Sequence, residues 1–191
     1  MIAVPTLLNE HLLQRLEARL RAAGSLIVDA WAPGMTDGQI DDLLAPLGIE
    51  LPEEAREWWR WHDGVLIDDN PRATEISPRR THLPLRYVAE DYQSLGGAMR
   101  QLYGLDGLLN PVGDRPTVYF HCDVPRDSPV PIYTQNDDVS EPCLVLPSIG
   151  ELVLAWIDLI DRAVWTTNPD GSWAWDHRRV PPADVLKLGI Y

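Results

Sequence analysis

The chain has no apolar run long enough to cross a membrane. A spanning helix needs roughly 18 or more consecutive apolar residues. The longest apolar region, Leu144 to Trp165, is interrupted by Pro147, Glu151, Asp158, Asp161 and Arg162. The N-terminus has no basic segment followed by an apolar one, so no signal peptide is expected and the expected location is the cytoplasm. Cysteine is scarce. Cys122 and Cys143 are the only two, too few for a disulfide framework, and both are expected to be buried as small hydrophobes. Positive charge is scarcer still: Lys187 is the sole lysine, and 16 basic residues face 29 acidic ones, a formal net charge of −13. Without a basic face the chain is not suited to gripping nucleic-acid phosphates or anionic lipid. An acidic surface suits a basic protein partner, which its field would steer into place.

Recognisable chemistry is also missing. No G-x-G-x-x-G, phosphate-binding loop, H-E-x-x-H or G-x-S-x-G occurs. His11, His62, His82, His121 and His177 include no pair at the short spacing of a helical metal site. His121-Cys122-Asp123 puts ligand types in a row, but a strand turns Cys122 away from the other two. The doublets Asp41-Asp42, Asp68-Asp69 and Asp137-Asp138 read as solvated acidic faces, and His62-Asp63 has no nucleophile in a recognisable context. No catalytic residue, metal or cofactor is expected.

What the chain does have is apolar and aromatic substance. Hydrophobic residues make up 45% of the 191, enough for one domain with a core. Its most patterned stretch is 33–64, PGMTDGQIDDLLAPLGIELPEEAREWWRWHDG. Thr36 and Gln39 have capping-box spacing. Ile40, Leu43, Leu44 and Leu47 then fall on one helical stripe, which Gly48 closes. Pro52 suits the start of a second helix, Glu53 and Glu54 suit its positive end, and Asp63-Gly64 ends it. Ala55, Trp58, Trp59 and His62 share a face, whereas Trp61 points elsewhere.

An amphipathic helix, then Leu47-Gly48, Leu51-Pro52, Trp58-Trp59 and a closing Asp63-Gly64, resembles the core signature of the SUKH superfamily. That superfamily includes the yeast cell-wall assembly regulator and many bacterial immunity proteins. Asp63 stands where the family more often has Asn. The resemblance implies a single SUKH-like α+β domain over 1–191, with a mostly antiparallel sheet flanked by helices.

The other elements agree with that class. Thr6 to Ala23 reads as an opening helix on Leu8, Leu12, Leu13, Leu16 and Leu20. Ser25 to Ala30 reads as a strand or link, and Val65 to Thr81 as a polar loop. A helix over about Tyr87 to Tyr103 carries Val88, Tyr92, Leu95, Met99 and Leu102 on one stripe, weakened by Gly96-Gly97. Residues 104–115 read as turns. Strands at 117–122, 130–134 and 142–146 form a meander. Ser148 and Glu151 open another capping box and a long apolar helix. A C-terminal hairpin and tail, 165–191, contains Trp173 and Trp175 on one strand face and a helical turn at 184–188.

Eight tryptophans are many for this length. Three around one helix turn cannot all face one core, so Trp61 is the expected interface anchor. Asp63, Asp68, Asp69, Asp137, Asp138 and Glu141 are the expected acidic contacts. The resemblance sharpens the expected function to an immunity protein that neutralises a cognate bacterial toxin, a basic nuclease domain being physically suitable. A regulatory adaptor of cell-wall or signalling proteins is the alternative reading, and an enzyme of unrecognised class a remote third.

Overall fold

The computed structural model describes residues 4–65, 74–113, 117–135 and 141–180, and its architecture is that of those residues. Five helices and antiparallel strands make an α+β domain. The helices are α1 (Glu10–Ala23), α2 (Asp37–Leu44), α3 (Glu53–Trp61), α4 (Leu85–Tyr103) and α5 (Ile149–Asp161). Strands β3 (Leu108–Val112), β4 (Thr117–His121), β5 (Ile132–Gln135) and β6 (Cys143–Leu146) form one antiparallel meander in chain order. Two hairpins accompany it: β1 (Glu75–Ser77) with β2 (Arg80–Thr81), and β7 (Trp165–Thr167) with β8 (Trp173–Trp175). No described helix is long and apolar enough to cross a membrane.

The 33–64 stretch folds much as its signals require. Thr36 accepts from Gln39 N while the Gln39 side chain accepts from Thr36 N, a complete capping box. Gly48 closes the following turn at φ 66°. Trp58 and Trp59 are fully buried. Their rings meet Phe120 of β4 at centroid distances of 5.6 and 6.2 Å, which seats α3 on the sheet. The Asp63-Gly64 pair does more than stop a helix. Asp63 Oδ1 accepts from Leu85 N at 2.7 Å and so caps α4. Gly64 lies at φ +67°, and a Cβ there would stand 2.2 Å from Pro84 N. Only glycine lets the chain pass so close to the start of α4.

Several expectations are corrected. The opening helix begins at Glu10, capped by Asn9, because Thr6 is tied instead to the start of α5 and Leu8 N to Glu54 of α3. Residues 26–29 form a 3-10 turn, not a strand. The polar loop contains the β1–β2 hairpin. The turn-rich 104–115 region holds β3, an edge strand whose register shifts between Leu109 and Val112; that irregularity accommodates Pro111. Only half of the Ser148 box forms: Ser148 Oγ accepts from Glu151 N, but the Glu151 carboxylate takes Thr6 N instead. Cys143 is exposed, not buried. The helical turn expected at 184–188 lies outside the described residues.

One buried side chain joins these layers. Glu54, 4% exposed in the first turn of α3, accepts three backbone hydrogen bonds. Leu8 N at 2.8 Å and Gly150 N at 2.9 Å donate to Oε1, and Val130 N at 2.7 Å donates to Oε2. The carboxylate thus holds the N-terminal segment, the lead into β5 and the first turn of α5 on one helix. Buried N–H groups must find acceptors, and a charged acceptor makes the stronger bonds. Glu54→Gln keeps the shape but replaces one accepting oxygen with a donor facing Val130 N or the Leu8–Gly150 pair. We expect it to lower the unfolding free energy by about 2–4 kcal/mol, read from urea denaturation; a loss below about 0.5 kcal/mol would disprove the clamp.

Candidate partner-binding site

Trp61 and Asp63 sit where α3 ends against an aromatic cluster. Trp61 is half-buried, its ring 4.6 Å from Trp31 and 5.8 Å from Trp58. Trp31 stacks on His62 at 4.4 Å with an 11° interplanar angle. His62 donates through Nδ1 to Ala32 O at 3.2 Å. Deeper in, the Trp31 indole N–H donates to Nδ1 of His82 at 3.0 Å, which leaves His82 neutral with its proton on Nε2. Burial drives the His82 pKa down to about 3, with the nearby His62 adding to the shift. Burial also lowers that of His62. The imidazoles therefore act as packing groups and as an acceptor for tryptophan.

Of the expected acidic contacts, Asp63 is committed to the start of α4 through its bond to Leu85 N, and Glu141 is exposed just ahead of β6. Asp68, Asp69, Asp137 and Asp138 lie outside the described residues. The structure brings together a different acidic group, which the sequence offered only as an ordinary doublet and first-turn glutamates. It runs along α2 and the turn into α3. Asp37 is 53% exposed, Asp41 59% and Glu50 75%, and Asp42 is exposed beside them. Glu53 and Glu57 continue the row.

This row is braced from beneath by arginine. Arg56 is 3% exposed; its Nε donates to Leu51 O at 3.1 Å, and its two terminal nitrogens reach Asp37 and Asp41. Burial opposes the charge, yet the hydrogen bonds and fields of Asp41 and Asp37 leave the guanidinium harder to deprotonate than usual. Arg60 pairs with Glu53, Asp37 and Glu57. The hydrogen bond from Arg60, with support from Arg126, holds the Glu53 carboxyl below the usual carboxylate range. Three guanidinium groups (Arg56, Arg60, Arg126) thus face six carboxylates (Asp37, Asp41, Asp42, Glu50, Glu53, Glu57), so the face stays acidic while its side chains are held in place.

A cavity of about 280 Å³ opens between α4 and the turn at Leu47–Glu50. Its polar groups already engage one another: Tyr92 OH donates to Asp106 at 2.7 Å, and Arg100 pairs with the same carboxylate. The Cys122 thiol at its floor is pushed far up by burial and stays protonated. Among the described residues no group of three His, Cys, Asp or Glu converges as metal ligands would. No protein-family model matches the chain, and no curated protein matches it.

The buried histidine makes stability depend on pH. In the unfolded chain His82 takes up a proton below about pH 6.5, whereas in the folded chain it stays neutral until about pH 3. Its contribution is therefore complete above pH 6.5 and is lost as pH falls toward 3, at up to about 1.4 kcal/mol per pH unit. His82→Asn keeps an acceptor for Trp31 and cannot titrate. Urea denaturation between pH 7 and 4 should give a shallower decline in this variant than in the wild type, and parallel declines would refute the assignment.

Proposed function

We propose that the chain is a non-catalytic binding module: a SUKH-type bacterial immunity protein, acting in the cytoplasm, that neutralises a basic toxin domain, a nuclease being the candidate class. The observation that carries this reading is the row of exposed carboxylates on α2 and the turn into α3. A nuclease must line its cleft with cations to hold phosphate. An inhibitor that presents fixed carboxylates to that cleft gains association rate at long range and register on contact. Fixing matters because each long side chain immobilised on binding costs about 0.5–1.5 kcal/mol. Arg56 and Arg60 have already restrained Asp37, Asp41 and Glu53 before a partner arrives. Asp42 has no arginine partner among the described residues and Glu50 reaches only Arg126, at 4.0 Å, so these two project their charge outward most freely. Trp61, Asp63 and Glu141, with Asp68, Asp69, Asp137 and Asp138, remain the candidate contacts that the sequence suggests.

The test is capture of partners from the source cell's lysate at low and high salt, followed by kinetics with the purified partner. A single basic protein with nuclease activity is the expected result. The double variant Asp42→Lys/Glu50→Lys should slow association at least tenfold at low salt and leave dissociation within about threefold. Recovery of many weak partners would favour an adaptor. Association indifferent both to salt and to charge reversal would overturn the acidic-face reading.

A further inference from the structure

The apolar stripe of α4 outruns the core. Val88 is fully buried and Tyr92 half-buried, but two further turns leave Leu95 48% and Leu102 69% exposed. Between them lie exposed Ala98 and half-buried Met99. Leu95, Ala98, Met99 and Leu102 fall at i, i+3, i+4 and i+7, the spacing of a helix face that packs against another helix. Leu95 and Leu102 are two of the five large hydrophobic side chains exposed among the described residues, and the only two on one element.

We propose that this face is where two copies of the chain associate, α4 against α4, antiparallel about a twofold axis. Charge selects a second copy over a basic partner. Residues 92–103, YQSLGGAMRQLY, contain a single charged side chain, Arg100, and it is positive. It lies off the stripe, in an ion pair with Asp106. A cationic protein finds nothing here to draw it, and its attraction lies with the carboxylates of α2. For two copies that each carry a net charge of −13, a face without carboxylates is the one where contact costs least in repulsion. The stripe is also complementary to itself. With the axis between Ala98 and Met99, Leu95 of one copy meets Leu102 of the other, and small Ala98 meets large Met99, as isologous pairing requires.

The size of the patch sets the strength. Two turns of helix are ~11 Å long and bury well under the ~1,200 Å² of a stable complex. The dimer is therefore transient, with a dissociation constant on the order of 100 µM.

Sedimentation of the full chain from about 5 to 500 µM should show the monomer moving toward dimer. Leu102→Glu, a change on an exposed position, should shift that transition at least tenfold higher in concentration with the melting temperature within about 2 °C. Ala98→Cys in a Cys143→Ser background should form a disulfide dimer on mild oxidation. A wild-type chain that stays monomeric throughout would overturn the proposal, as would a dimer untouched by Leu102→Glu. So would a Leu102→Glu monomer that melts several degrees lower, which would mean that the chain's own residues cover the stripe.

Discussion

Three parts of the chain far apart in sequence meet on the Glu54 carboxylate. The amides of Leu8, Val130 and Gly150 have no acceptors within their own elements, and each is buried as the layers close. A single buried anion satisfies them together. The arrangement has a further electrostatic logic. Glu54 stands in the first turn of α3 and Gly150 in the first turn of α5, so the positive ends of two helix dipoles share one negative charge. Around it the N-terminal segment lies against α5 so closely that a Cβ on Gly150 would stand 2.3 Å from Thr6 O. The Ser148 and Glu151 side chains then secure Thr6 from either side.

The rest of the core is built on this frame largely by aromatic packing. Trp58 bridges Phe120 on the sheet and Trp156 on α5, and Trp156 leads on to Trp165 and Trp173 of the last hairpin. The indole N–H groups of Trp58, Trp59, Trp61 and Trp165 have no hydrogen-bond partner among the described residues. The cluster thus coheres through area and ring geometry more than through polar bonds. Its polar links are Trp31 to His82, which joins the approach to α2 with the approach to α4, and Trp173 to Glu75 O on β1. Rigidity at the end of α3 follows, because Trp31, Trp61 and His62 hold one another while Asp63 holds α4.

Two kinds of surface result. The α2–α3 face is charged, preset by buried arginine and exposed to solvent, the properties that favour rapid capture of a basic partner. The outer face of α4 over residues 92–103 carries one charged side chain, Arg100, and is apolar along Leu95, Ala98, Met99 and Leu102, suited to a like surface. Because the two faces use different residues and different forces, salt acts on them in opposite senses: it screens the first and relieves net repulsion across the second. A single preparation examined at several ionic strengths separates their contributions.

Much of this was legible in the residues. Caps, turn glycines and 3.6-residue stripes depend on neighbours a few positions away, so the Thr36 box, the Gly48 turn, the three later meander strands and the α+β class could be read from spacing alone. The small share of cations and the absence of recognisable catalytic motifs were equally plain. The miss at β3 has a local cause: Asn110, Pro111 and Gly113 carry turn chemistry, and only pairing with Phe120 and His121 makes the segment a strand. The roles of Glu54 and Arg56 were hidden for the opposite reason. Each looked like an ordinary first-turn or surface charge, and its burial depends on partners as many as 96 residues away. Sequence by itself determined the helix caps, the acid excess and the tryptophan-rich core, since these rest on composition and short-range geometry. Tertiary structure alone decided which carboxylate became the buried clamp, which ones stayed in solvent, and where the α4 stripe left the core, since long-range contact sets burial.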